Sequence, residues 1–244
     1  LLEAPKEKRV AVISVLGDEL DVYYRGATVF GNQFKSIDIN ALGVNRYVEK
    51  RFSVAIQDQY GISVIDTDAD RVEMSKKYED LDPSLRGLFM NPIDLRLENI
   101  KKEISDIAKK ERLDAVIVIA PDSLYTGTTV EPEGVSLHSW GINNGVAGSY
   151  INIFANIIVV DPDTGRYVKY ERFSRPDPNG WEKKPQDVYA MVSVKGRSLE
   201  DLAHREATEE DLDALGEILL DILDDALVRN TLKGILSERE YPQL

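Results

Sequence analysis

With 244 residues, 43% of them apolar and 30% charged, the chain is long enough to bury its own core and is ordinary in composition for a globular protein. Its net charge of −13 repels phosphate backbones and anionic headgroups, and its basic residues form only pairs such as Lys101-Lys102, Lys109-Lys110 and Lys183-Lys184. Nucleic acid is therefore not an expected partner. The absence of cysteine excludes thiol catalysis, cysteine-based zinc sites and disulfide frameworks together.

Arg9 to Leu16 reads as a buried first strand closed by a turn at Gly17-Asp18. Leu20 to Arg25 is a second strand, and Thr28 to Ile39, interrupted at Gly31-Asn32, a third. Their short connections predict an antiparallel meander. From Ala41 to Tyr60 the residues Val44, Val48, Phe52, Ala55 and Ile56 recur at helical spacing, with Gly61 as the stop and Ile62 to Ile65 as a short strand. Asp66 to Met90 has no steady period and reads as a long loop or short helices. Asn91-Pro92 is a helix start, since proline's missing N–H costs nothing in a first turn. Ile93, Leu97, Ile100, Ile104 and Ile107 line one face of that helix.

Leu113 to Ala120 is apolar throughout and reads as a central strand. Val135 to Trp140 is a further strand, followed by a glycine-rich loop from Gly141 to Ser149. Tyr150 to Val160 is a long strand, which Asp161-Pro162-Asp163-Thr164-Gly165 turns back into Arg166 to Phe173. Ser174 to Lys184 reads as a polar, proline-rich loop. Thr208-Glu209-Glu210-Asp211 opens a last long helix, with Leu212, Leu215, Leu219, Ile222 and Ala226 in one apolar stripe. The fold class expected is α/β (α+β): one domain over residues 1–244, with a mixed sheet, the early meander, a late hairpin and three main helices.

The motifs that suggest chemistry each fail on a required residue. Asp66, Asp68 and Asp70 resemble the opening of a calcium loop, but Arg71 and Lys77 stand where that loop needs glycine and a bidentate glutamate. Asp161 and Asp163 suggest phosphoryl transfer, yet Thr164 arrives one residue early and the stretch reads as a hairpin turn. Gly141, Gly145 and Gly148 match neither dinucleotide nor phosphate-loop spacing. Gly17-Asp18-Glu19-Leu20, Gly141-Ile142-Asn143-Asn144 and Asp201-Leu202-Ala203-His204 resemble three blocks of the Gly-Asp-Ser-Leu esterases. There Glu19 occupies the nucleophile position, where a carboxylate cannot do a serine's acyl transfer. The two histidines, His138 and His204, read as a structural strand residue and a surface helix residue. No catalytic, cofactor-binding or metal-binding residue is assigned, and no cofactor is expected.

The first strand Arg9 to Leu16, the short strand Gly61 to Asp66 and the hairpin Val159-Val160-Asp161-Pro162-Asp163-Thr164-Gly165-Arg166-Tyr167-Val168 together resemble α/β domains of bacterial envelope lipoproteins. Those include the curli-assembly lipoprotein, the penicillin-binding-protein activators and relatives of the TolB N-terminal domain. The resemblance implies a non-catalytic, exported interaction or assembly module. Its expected partner is another envelope protein, and its expected setting is the periplasm or the outer membrane. The chain opens Leu1-Leu2-Glu3-Ala4-Pro5 rather than on Met, as a chain trimmed of a signal peptide or lipoprotein leader would, and as a trimmed cytoplasmic domain also would. The alternative reading is a small hydrolase, esterase-like or metal-assisted, with a carboxylate and histidine site. A deep pocket joining His138 or His204 to carboxylates would favour the hydrolase, and an exposed aromatic or apolar patch would favour the interaction module.

Overall fold

The computed structural model describes residues 8–26, 29–80, 92–122, 134–142, 145–173, 191–194, 198–223 and 225–236. Among these residues nine strands and five α-helices follow one another: β1 (Arg9–Ser14), β2 (Glu19–Arg25), β3 (Gln33–Asp38), α1 (Val44–Tyr60), β4 (Ser63–Val64), α2 (Arg71–Glu79), α3 (Pro92–Glu111), β5 (Ala115–Pro121), β6 (Gly134–Ile142), β7 (Gly145–Val160), β8 (Tyr167–Arg172), β9 (Met191–Ser193), α4 (Glu209–Ile222) and α5 (Asp225–Leu236). A 3₁₀ helix over Ser198–His204 precedes α4. The architecture is a mixed sheet with helices on it, as the composition and periodicity imply.

The sheet runs β3-β2-β6-β7-β5-β1-β4, with β8 and β9 also paired to β7. β7 organises it. In a strand, carbonyls of alternate residues point to opposite edges. The Phe154 carbonyl accepts from Asp122 beyond β5, whereas the Ala155 and Ser149 carbonyls accept from Phe173 beyond β8 and Val194 beyond β9. So β5 and β6 lie end to end along one edge of β7, and β8 and β9 lie end to end along the other. The result is two half-sheets, β4-β1-β5-β7-β8 and β3-β2-β6-β7-β9, that share one 16-residue strand.

Two expectations are corrected. β2 and β3 do form the antiparallel hairpin, in register from Glu19 opposite Asp38 to Tyr24 opposite Gln33. β1, however, is not the first strand of a meander; it lies between β4 and β5, parallel to both. A strand buried on both faces is apolar whichever neighbour it has, so composition could not choose its partner. The described residues of the glycine-rich segment are also strand rather than loop, since Gly141 lies in β6 and Gly145 and Gly148 in β7. An alanine methyl at Gly148 would collide with the Trp140 ring, so only glycine lets the indole pack this close to the backbone.

Helices cover both faces. α1, α4 and α5 pack on the face carrying Val10, Val12, Leu20, Val22, Leu137, Ile151, Ile153 and Ile157. α2 and α3 pack on the opposite face, against Ala11, Ile13, Val116, Val118, Ile158 and Val160. Val44, Val48, Phe52, Ala55 and Ile56 of α1 are all buried, and Gly61 ends the helix by donating its N–H to Gln57. The last helix is capped as expected: Thr208 accepts from the Asp211 N–H while Asp211 reaches back to the Thr208 N–H. It does not run on to Ala226, because the chain leaves α-helical geometry at Leu223 and restarts as α5.

Candidate functional site

β4 pairs with β1 only at Arg9 and Val10, which leaves the rest of that edge of β1 in need of partners. Side chains of α1 supply them. Glu49 accepts from the Ser14 N–H at 2.8 Å; Asn45 accepts from the Leu16 N–H at 3.0 Å and from the Ser14 hydroxyl at 2.7 Å. One helical turn separates the two residues, so both reach the same strand edge. The Asn45 amide then donates to the Gly17 carbonyl and to Asp18 Oδ1, each at 3.2 Å. From α2, Ser75 donates to the Val15 carbonyl at 3.1 Å. Arg71 Nε meets Glu49 Oε1 at 2.5 Å, both side chains being more than nine-tenths buried. This polar network fixes where the chain emerges from β1.

Above that exit lies a cleft of about 560 Å³, outside the carboxyl ends of the parallel strands β1 and β5. Leu16, Gly17, Asp18, Glu19, Asp21, Asp38, Asn40 and Pro121 line it from the sheet; Val72, Ser75, Lys76, Glu79 and Arg96 line it from α2 and α3. Among the described lining residues five carboxylates stand with two cations, an excess of three negative charges. Asp38 also accepts from the Asn40 N–H and Asp21 from the Ser36 hydroxyl, so the β2–β3 wall is held in one arrangement.

The sequence candidates are dispersed. Asp66 pairs with Arg46 at 3.0 Å, Asp68 with Lys110 at 2.6 Å, and Asp70 caps α2 by accepting from the Glu73 N–H. Lys110 beside Asp68 holds that carboxyl below its usual range. Arg71 is buried against Glu49, and Lys77 reaches Glu103 at 2.6 Å. Asp161 Oδ1 accepts from the N–H groups of Asp163 and Thr164, which lower its pKa, and Gly165 adopts φ 68°. That is a hairpin turn, as expected. Among the described residues no group of three His, Asp or Glu is arranged to hold a metal ion.

The three blocks that resemble an esterase do not converge. Glu19 lines the cleft, while His204 packs edge-on against Tyr24, with ring centroids 4.5 Å apart. Glu19 and Tyr24 are five residues apart on β2, about 16 Å at strand rise. Asp201 is held by Arg205 Nε at 2.8 Å, and Asn143 and Asn144 lie outside the described residues. His138 sits beside Tyr23, at 5.3 Å, and Tyr150, at 5.9 Å. Tyr23 and Tyr24 are consecutive strand residues and point to opposite faces, so the sheet separates the two histidines.

Apart from Gly17, Asp18 and Glu19, the residues of the cleft were not singled out in the sequence. The lining comes from five separate segments, and each alone reads as turn, strand edge or helix surface. Also unanticipated is the exposure of Phe30 and Phe34, which are 96% and 62% exposed at the end of the β2–β3 hairpin.

No family model and no curated protein matches the chain. Solved structures do, at low similarity. The LpoB C-terminal domain from Salmonella enterica matches at 10% identity and a TM-score of 0.23, over 70% of this chain and 84% of that one. Lipoprotein GNA1162 from Neisseria meningitidis matches at 10% identity and 0.30, over 88% and 96%. A putative neuraminyllactose-binding hemagglutinin homolog from Helicobacter pylori matches at 10% identity and 0.37, over 96% and 88%. These neighbours include bacterial envelope lipoprotein-like folds.

Proposed function

We propose that this chain is a non-catalytic interaction module of the bacterial cell envelope, and that it contacts another protein through the β2–β3 hairpin. The observation that carries this reading is the exposure of Phe30 and Phe34. Large aromatics left in water on a protein with a complete core mark contact surfaces, because they offer much apolar area for little side-chain entropy. The envelope setting is supported by the Val159 to Val168 hairpin, by which the sequence resembles envelope lipoproteins. Among the described residues no helix is long and apolar enough to cross a membrane. A photo-reactive phenylalanine analogue in place of Phe34, in the full-length gene product in cells, tests the reading. It should give a discrete protein adduct in the envelope fraction, absent when the analogue replaces Val168, an exposed residue of β8. Equal labelling from both positions, or adducts confined to cytoplasmic proteins, would overturn it.

A further inference from the structure

The cleft and the exposed Phe34 belong to one surface. Glu19 and Asp21 line the cleft, and strand alternation places Tyr23 on their face of β2. Register places Asp38, Ser36 and Phe34 of β3 opposite those three residues. The intervening Leu20, Val22 and Tyr24 face the core, so the assignment of faces is independently fixed. A stripe therefore runs from carboxylates inside the cleft to the half-buried Tyr23 and the exposed Phe34 at its outer end. It spans four strand residues, about 13 Å. On the far side α2 and α3 raise a wall bearing Val72, Lys76, Glu79 and Arg96. Among the described residues β3 is the last strand on its side of the sheet.

We propose that the cleft and this face of β2 and β3 form one groove that receives an extended, positively charged segment of a partner protein. The segment's cationic side chains lie over Glu19, Asp21 and Asp38, and an apolar side chain rests against Phe34 and Tyr23. The inference rests on the interaction reading above and adds the chemistry of what is bound. Charge complementarity selects the occupant: the groove carries an excess of three negative charges on a chain of net charge −13, which disfavours a second copy and an anionic lipid surface alike. Geometry selects an extended segment. Charges two residues apart and an apolar residue two further on share one side of a strand-like peptide, matching the spacing of the stripe. A bare metal ion fits less well, since Asp18 is held by Asn45, Asp21 by Ser36 and Asp38 by the backbone N–H of Asn40.

The test is fluorescence anisotropy with the labelled peptide Ser-Lys-Ser-Lys-Ser-Phe-Ser and a partner peptide in which Glu replaces Lys. The lysine peptide should bind at least about tenfold more tightly, and salt should weaken it by screening. E19Q/D38N and F34S should each weaken it about tenfold, with only the first reducing the salt dependence, while V168S should leave it unchanged. Unaltered urea midpoints establish that the variants fold. Equal binding of the two peptides, binding indifferent to both groove variants, or a matching loss in V168S would overturn the proposal. So would binding to vesicles of anionic phospholipid that F34S abolishes, since the surface would then be a membrane contact. A specific Phe34 adduct in cells with no preference between the peptides would sink the groove and leave the interaction module standing; absence of that adduct would sink the module itself.

Discussion

Glu49 and Arg71 are charged residues that folding removes from water together, and neither is tolerable there alone. Their contact at 2.5 Å, with Glu49 also accepting from Ser14 and Arg71 donating to the Ala69 carbonyl at 2.7 Å, satisfies most of what burial takes away. E49Q leaves a guanidinium buried without its counter-charge and is expected to cost roughly 3–5 kcal/mol. E49M/R71M removes both charges and should recover much of that loss. Urea melts of E49M, R71M and the double variant check this, and additive losses would show that the pair is not coupled. Asp211 presents a related case nearer the surface. It is 2% exposed, takes both Arg205 Nη atoms at 2.6 and 2.8 Å, and completes the Thr208 cap. Arg205, then burial acting against it, then the Thr208 bonds leave the Asp211 carboxyl well below its usual range. A carboxyl with a depressed folded-state pKa stabilises fully above its unfolded value of about 3.9 and loses that contribution as pH falls through the folded value. D211N should therefore lower stability by about 3 kcal/mol at pH 7, with the gap to wild type narrowing below about pH 4. A gap that stays constant down to pH 2 would contradict the assignment.

Elements with a one-sided stripe behave as their spacing implies. In α4, Leu215, Ile218, Leu219 and Ile222 are buried in the larger core, while Asp213, Glu217 and Asp221 are exposed. Leu219→Ala should cost roughly 2–5 kcal/mol, the range for buried leucine truncations. Coincident urea midpoints would show that the stripe is not core. α1 and α3 were legible for the same reason, and the β7–β8 hairpin because Asp161-Pro162-Asp163-Thr164-Gly165 has turn chemistry at every position. α2 was not, because what it buries is Arg71, Met74, Ser75 and Tyr78, a set with no hydrophobic period. The break at Leu223 was hidden since the leucine spacing carries on through it. The candidate site was less legible still. Asp18 and Glu19 mark a turn and Asp38 a strand end, and only pairing of β2 with β3 and packing of α2 bring them to one cleft. Such convergence is a property of tertiary contacts, which local periodicity does not encode.

For the molecule as a whole, we infer that residues 1–244 unfold as one unit, since β7 is a member of both half-sheets and neither half is complete without it. Its Gly145–Phe154 segment pairs with β6 and its Ala155–Val160 segment with β5. Urea transitions followed at a probe beside β1 and at another beside β2 should coincide; two separated midpoints would divide the chain into domains. The partners of β7 are also far apart in sequence: β1 reaches β5 across about a hundred residues, from Val10 to Ala115, and β2 reaches β6 from Asp21 to Ser136. Closing such long loops before any pairing is rewarded makes folding slow for the chain's size. Once formed, the same strand is the last to let go. From Tyr150 to Asn152 and from Asn156 to Val160, β7 is hydrogen-bonded along both edges. Peeling away one neighbour still leaves the other in place. Its amide protons should therefore exchange with solvent deuterium only through global opening, and their exchange rates should report the stability of the entire fold.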